Sequence, residues 1–180
     1  MASLINLKSD EMGGRIDLTD IENQIHAIQL VHEKLYQSET LTKIDFASYM
    51  RELLSTVFGS FYDISVDIQM DAVDIDLDSR TAIPLGLIIN EVATNAIKHG
   101  FSKEKKNLFS ITMKTHSEEN RYELTLSNTG KPFPESINLE NPDTLGLRLI
   151  TALTGQLGGK IHLTKKPNPV FRLDFPIHEN

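Results

Sequence analysis

Hydrophobic residues recur at helical spacing along the first sixty positions and alternate with polar ones beyond Tyr62. Leu4, Ile5 and Leu7 read as the end of a helix closed by Gly13-Gly14. Ile21, Ile25, Ile28, His32 and Leu35 follow one another in steps of four and three, the seam of a coiled-coil-like helix from about Leu18 to Ser38. A third helix is predicted from about Phe46 to Phe61, with Asp45 as its N-cap and Phe46, Met50, Leu53, Leu54 and Val57 as its apolar face. Past Tyr62, Ile64, Val66, Ile68 and Met70 alternate with Ser65, Asp67 and Gln69, which predicts a strand with one wet face, and Ile75 and Leu77 suggest a short partner strand. Pro84 is a natural opening residue for the next helix, which runs to His99 and can close at Gly100. The alternation of Phe109, Ile111 and Met113 and that of Tyr122, Leu124 and Leu126, parted by Ser117-Glu118-Glu119-Asn120, predict a hairpin. A helix from about Leu145 to Leu157 should stop at Gly158-Gly159. Strands over Lys160–Thr164 and Val170–Phe175 should follow, flanking Pro167-Asn168-Pro169. Strands interleaved with two long helices imply an α+β fold with helices on one face of a mixed sheet.

Composition narrows the function classes. The net charge of −7 disfavours general nucleic-acid binding, and Lys103, Lys105 and Lys106 are too few to make a basic patch; they read as a solvated loop. With no cysteine, disulfides, thiolate metal sites and a catalytic thiol are excluded, a composition that fits a reducing compartment. No apolar run approaches the roughly 20 residues that span a bilayer, and the N-terminus lacks the pattern of a signal peptide. The six histidines have no metal-ligand spacing.

Three features carry candidate chemistry. On the helix ending at His99, Ile89, Val92, Ala93, Ala96 and Ile97 share a broad apolar face, while Glu91, Asn95 and Lys98 fall on another line at i, i+4 and i+7. That line reads either as the wet side of an amphipathic helix or as a nucleotide site. In the second case Glu91 orients or deprotonates an attacking group, the Asn95 amide oxygen suits Mg²⁺, and Lys98 neutralises phosphate. The loop Asn128-Thr129-Gly130-Lys131-Pro132-Phe133-Pro134 contains a glycine that permits positive φ or close approach of a ligand, and it reads equally as a plain surface loop. Gly146 lies at the start of a helix, where free N–H groups and the dipole suit phosphate. No Gly-x-x-x-x-Gly-Lys-Ser/Thr and no Gly-x-Gly-x-x-Gly is present.

Taken in order, these motifs resemble the GHKL ATPases, the group of gyrase, heat-shock chaperone, histidine kinase and mismatch-repair ATPases. The run Ile88-Ile89-Asn90-Glu91-Val92-Ala93-Thr94-Asn95-Ala96-Ile97-Lys98-His99 resembles their N box. Asn128–Pro134 resembles the adenine-binding G1 box, and Leu145-Gly146-Leu147 the second glycine box, with a gap that implies a short ATP lid. Gln156-Leu157-Gly158-Gly159-Lys160-Ile161 and Phe171-Arg172-Leu173-Asp174-Phe175-Pro176 are similar to the ending of bacterial histidine kinase domains. Val31-His32-Glu33-Lys34-Leu35-Tyr36-Gln37-Ser38-Glu39, followed by Ile44-Asp45-Phe46, resembles the second dimerisation helix and linker of the second HisKA subfamily, close to the HWE kinases.

The resemblance implies a GHKL (Bergerat) α/β sandwich over residues 62–180, the ATP-binding catalytic domain. Residues 1–61 would form a partial dimerisation hairpin and linker. It implies Glu91 as catalytic carboxylate, Asn95 as Mg²⁺ ligand and Lys98 on phosphate. Asn128 and Gly130 would meet adenine, and Gly146 and Leu147 would give backbone donors to phosphate. The implied activity is transfer of the ATP γ-phosphoryl group to a histidine and then to the receiver domain of a response regulator. The full-length protein would be a homodimer, and this region would be cytoplasmic, as a soluble sensor or as part of a membrane-anchored one. Two departures stand out. The usual Asp-x-Gly-x-Gly is here Asn128-Thr129-Gly130-Lys131-Pro132; the Asn amide can still pair with adenine, and Pro132 should stiffen the loop. The acceptor histidine of this subfamily is expected upstream of Ser3-Leu4-Ile5-Asn6-Leu7, so this chain is expected to bind ATP–Mg²⁺ without phosphorylating itself. His32, on the helical seam, and His26, next to it, are not expected to replace that histidine. Two rivals remain, separable by nucleotide binding and by the acid lability of the product: a degenerate nucleotide- or partner-binding module without kinase activity, and an anti-sigma-type serine kinase.

Overall fold

The computed structural model describes residues 43–177 apart from Tyr62, Val73 and Asp74, together with Glu22, Ile25, His26, Gln29 and Leu30. The expected first helix and most of the seam, including Ile21, Ile28, His32 and Leu35, lie outside the described residues.

The elements are β1 (Ile44–Asp45), α1 (Phe46–Gly59), β2 (Val66–Asp71), β3 (Asp76–Leu77), α2 (Ser79–Asn95), β4 (Asn107–His116), β5 (Arg121–Asn128), α3 (Leu145–Gln156), β6 (Lys160–Thr164) and β7 (Val170–Pro176). Five strands form one sheet in the order β2-β4-β5-β7-β6. The β2–β4 pair is parallel and the other pairs are antiparallel, so the sheet is mixed. Along β4 and β5 alternate residues are buried: Asn107, Phe109, Ile111 and Met113 on one, Leu124, Leu126 and Asn128 on the other. The pleat sends these to the helix side and turns Ser110, Thr112, Thr125 and Ser127 to the opposite face. Phe171, Leu173 and Phe175 of β7 continue the buried rows.

α1 starts where the sequence predicts, the Ser48 N–H donating to the Asp45 carboxylate at 2.9 Å, and ends two residues earlier than expected. Its buried side chains Phe46, Tyr49, Met50, Leu53, Leu54 and Val57 belong to the same cluster as Ile88, Ile89 and Phe109. Phe58 meets Phe109 edge-on at 5.4 Å between ring centres. The N-terminal part expected at 1–61 is thus tied to the sheet layer by a buried helix. α2 packs against both α1 and α3. Gly86 allows the first contact: a Cβ there would collide with the Tyr49 hydroxyl. Burial raises the Tyr49 phenol well above the usual tyrosine range.

Two local expectations are corrected. α2 begins at Ser79 rather than at Pro84, because Asp78 caps it: the Thr81 N–H donates to the Asp78 carboxylate at 2.8 Å. Pro84 lies inside the helix, where burial of Ala82, Leu85, Ile88 and Ile89 outweighs one missing backbone bond. The short strand at Asp76–Leu77 pairs with Ile44–Asp45, not with the strand that precedes it. α3 ends as predicted. Gly158 sits at φ 65°, and the Gly159 N–H reaches back to the Thr154 carbonyl at 2.9 Å.

Candidate nucleotide site

Helix α2 does not end as an α-helix. Residues Ala96–Gly100 widen into a π turn, closed by the Phe101 N–H on the Ala96 carbonyl at 2.7 Å. Such wide turns collect at functional sites. The widening takes Lys98 off the simple α-helical line drawn from Glu91 through Asn95. Burial falls along that line: Glu91 is 6% exposed, Asn95 is half-buried and Lys98 is exposed. It is therefore not a uniformly wet face; the carboxylate lies inside the packing of α2 on α3, and the ammonium stands outside.

The first turn of α3 meets this line at Gly146. A Cβ on Gly146 would stand 2.8 Å from Glu91 Oε2 and 3.9 Å from Asn95 Nδ2. With glycine here the start of α3 lies close to the carboxylate and the amide without displacing either. Thr144 caps α3, its hydroxyl accepting from the Leu147 N–H at 3.4 Å. The Leu147 N–H expected to face phosphate is thus held by a long, weak bond to its own cap.

The π turn that follows α2 meets the glycine loop after β5. Asn128 is buried, closes the inward row of β5 opposite Phe109, and gives its Nδ2 to the Thr129 carbonyl at 3.0 Å. A Cβ on Gly100 would lie 2.9 Å from that nitrogen. Gly100 is therefore required for room beside Asn128, not as a left-handed helix stop. Gly130 has φ 133°, and a Cβ there would run into the Gly100 carbonyl, which also accepts from the Lys131 N–H at 3.0 Å. Gly130 thus serves both of the uses open to it, positive φ and close approach, although what approaches is the end of α2.

The segment between the glycine motifs is tethered at both ends. Phe133 packs edge-on against Phe171 with centroids 5.7 Å apart, and its N–H donates to the Lys165 carbonyl at 3.2 Å. Lys165 donates to the Glu135 carbonyl at 2.8 Å, and Lys166 pairs with the Glu135 carboxylate at 2.6 Å. The hydrogen bond from Lys166, then its charge, holds the Glu135 carboxyl below the usual range. On the trailing side, Arg148 Nε donates to the Pro142 carbonyl at 3.1 Å and the Thr151 hydroxyl to that of Leu139 at 3.5 Å.

Sequence reasoning missed Asn107 and Thr129. Asn107, 3% exposed, accepts from the Ser102 N–H at 3.0 Å and donates to the Ser102 and Ser65 carbonyls at 2.8 and 3.0 Å, fixing the turn between α2 and β4. The Thr129 hydroxyl accepts from the Leu108 N–H at 2.8 Å, fastening the glycine loop to β4. Asn107 was discoverable: it falls in phase with Phe109, Ile111 and Met113, and a polar residue in an inward row needs partners. Lys103 of the basic cluster pairs with exposed Asp63 at 2.6 Å, as a solvated loop should. That pair borders a surface cavity of about 340 Å³, also lined by Ser60, Phe61 and Ile64, that includes none of Glu91, Asn95, Lys98, Asn128, Gly130, Gly146 and Leu147.

Helix, glycine loop and second glycine turn, far apart in sequence, therefore converge on the C-terminal end of α2 and the π turn that follows it. Residues 1–61 match the HisKA_2 family model, whose description is histidine kinase. The first third of the chain is thus similar to the HisKA_2 family, and nearly its whole length to curated histidine kinases. It is 25% identical over 187 residues to blue-light-activated histidine kinase 2 of Erythrobacter litoralis, covering 99% of this chain and 53% of that one. With the sensor histidine kinase PdtaS of Mycobacterium tuberculosis it shares 27% identity over 170 residues, 89% of this chain and 33% of that one. It thus spans about half the length of the first relative and a third of the second. Its fold matches the histidine kinase domain of the Erythrobacter litoralis EL346 blue-light-activated kinase. The TM-score is 0.74 at 24% identity, over 94% of this chain and 79% of that one. Among the described residues no helix is long and apolar enough to cross a membrane.

Proposed function

We propose that this chain is the kinase region of a HisKA_2 histidine kinase, with residues 62–180 as its ATP-binding catalytic domain and residues 1–61 as partial dimerisation helices and linker. The observation that carries the reading is Gly146 seated close against Glu91 and Asn95, which brings the first turn of α3 beside the carboxylate and the amide. When bound, ATP–Mg²⁺ supplies the transferable γ-phosphoryl group and offsets its charge. Asn95 offers an amide oxygen to the cation; one protein ligand suits Mg²⁺, which takes its other oxygens from phosphate and water. Among the described residues no cluster of His, Asp and Glu forms a separate metal cage. Lys98, exposed at the outer end of the line, neutralises phosphate, and Glu91 orients or deprotonates the attacking group. Gly146 and Leu147 offer backbone N–H groups at the start of α3, Leu147 after release from Thr144. Asn128 and Gly130 face adenine. The phosphoryl group passes to a histidine of the dimerisation helices and on to an aspartate of a response-regulator receiver domain, the active protein being a homodimer in the cytoplasm. The family match at residues 1–61 favours histidine over serine as acceptor, against the anti-sigma-type reading.

The test is nucleotide titration of the chain beside Asn95→Ala and Lys98→Ala. Affinity should fall in both variants, and for Asn95→Ala the gain from added Mg²⁺ should shrink. Undiminished binding in both variants overturns the site. Failure to bind ATP even at millimolar concentration favours a degenerate module, a reading that the Asn128–Thr129 hydrogen bond supports by engaging the amide in the fold itself.

A further inference from the structure

Among the described residues helix α2 packs on α1, on α3 and on the sheet, and the glycines give the directions of the first two. Gly86 faces Tyr49 of α1, while Glu91 and Asn95 face Gly146 of α3. At about 100° per residue, the arc between these directions that holds Leu85, Ile89, Val92 and Ala96 is wholly apolar and lies on the sheet. The opposite arc holds Leu87, Asn90 and Thr94 and points away from the sheet. In a helix layered on one face of a sheet that arc should be wet. Instead Leu87 is 7%, Asn90 0% and Thr94 4% exposed. Both polar atoms of the Asn90 side chain and the Thr94 hydroxyl are buried without a hydrogen-bond partner. Such groups are rare in folded proteins because each costs about 1–3 kcal/mol.

A matching orphan lies in the N-terminal segment. Glu22, Ile25, His26, Gln29 and Leu30 are helical, and of these Leu30 is 5% exposed and joins the core cluster that contains Leu87. His26, one turn before Leu30 on the same side, has its Nδ1 buried and likewise unpartnered. We propose that the outward arc of α2 is the docking seat of this chain's own N-terminal helix, with Leu30 on the apolar part and His26 sharing a polar contact with Asn90 and Thr94. An imidazole, an amide and a hydroxyl can each donate and accept, so the three can satisfy one another. Thr94 and Glu91 lie about 60° apart on α2. A helix seated on Thr94 therefore runs beside the Glu91–Asn95–Lys98 line and sets its own register against it. The inference holds whether or not the chain binds nucleotide.

The chain has no cysteine, which makes the test direct. In the full chain, His26→Cys combined with Thr94→Cys, and His26→Cys with Asn90→Cys, should form an intrachain disulfide under mild oxidation, since that bond needs Cβ atoms about 4 Å apart. His26→Cys with Lys114→Cys, on the open face of the sheet, should not. Absence of an intrachain disulfide in both test pairs, or disulfides only between chains, overturns the proposal. Melting of His26→Ala, Thr94→Ala and the double variant gives an independent answer: non-additive midpoint shifts support the contact, and additive ones reject it.

Discussion

Gly146 Cα lies so close to the Glu91 carboxylate that a single added methyl group would stand 2.8 Å from Oε2. Alanine at this helical position should favour α3 by roughly 0.5–1 kcal/mol on backbone grounds. It should nevertheless displace a buried side chain, at a cost of about 1–3 kcal/mol. The two terms act on different observables. Gly146→Ala is expected to melt within a few degrees of the wild type and to lose roughly ten-fold or more in nucleotide affinity, measured by calorimetric titration. Unchanged affinity would show that the carboxylate has room to move.

Gly130 has no such latitude. Its φ of 133° is unfavourable for any residue with a side chain, and the Gly100 carbonyl occupies the space. Gly130→Ala should cost about 1–3 kcal/mol in strain alone. Both the unfolding midpoint and nucleotide affinity should fall. A variant that melts normally would mean that the loop can detach from the end of α2 without loss.

Placing at position 128 the aspartate of the motif that the loop resembles should not improve this protein's stability. Asn128→Asp removes the donor that satisfies the Thr129 carbonyl and places a carboxylate beside it in a buried position. The expected loss is about 1–3 kcal/mol, read from chemical denaturation, even where adenine binding tightens. Equal or higher stability would show that the amide bond to Thr129 contributes nothing.

The Glu135–Lys166 pair should make the leading end of the segment between the glycine motifs sensitive to acid. Because Lys166 depresses the Glu135 pKa, the folded form gains from the ionised carboxylate at pH above the ordinary carboxylate range. That gain is lost as the pH falls through the depressed value. Both side chains are largely exposed, so global stability should scarcely respond. The sensitive readout is the Phe133 amide, bonded to the Lys165 carbonyl: its hydrogen exchange, corrected for the intrinsic pH dependence, should speed up in Glu135→Gln. Unaltered protection in that variant would show that Phe133–Phe171 packing alone holds the segment.

Local periodicity determined much of this protein. Asp45 capping α1, the alternating rows of β4 and β5 and the Gly158-Gly159 stop depend on neighbours in sequence, and all were legible there. So was the order of motifs that resembles the GHKL ATPases. Pro84 misled because a strong cap at Asp78 and burial on three sides outweigh one lost hydrogen bond, and burial is a property of the packed helix. Tertiary structure alone decided that Glu91 is buried while Lys98 is not. It also decided that Gly100 makes room for Asn128, and that Gly146 answers Glu91 across 55 residues. A one-dimensional pattern records which face of a helix a residue occupies. What lies against that face is set by long-range packing, and there the space left by a missing Cβ becomes a site.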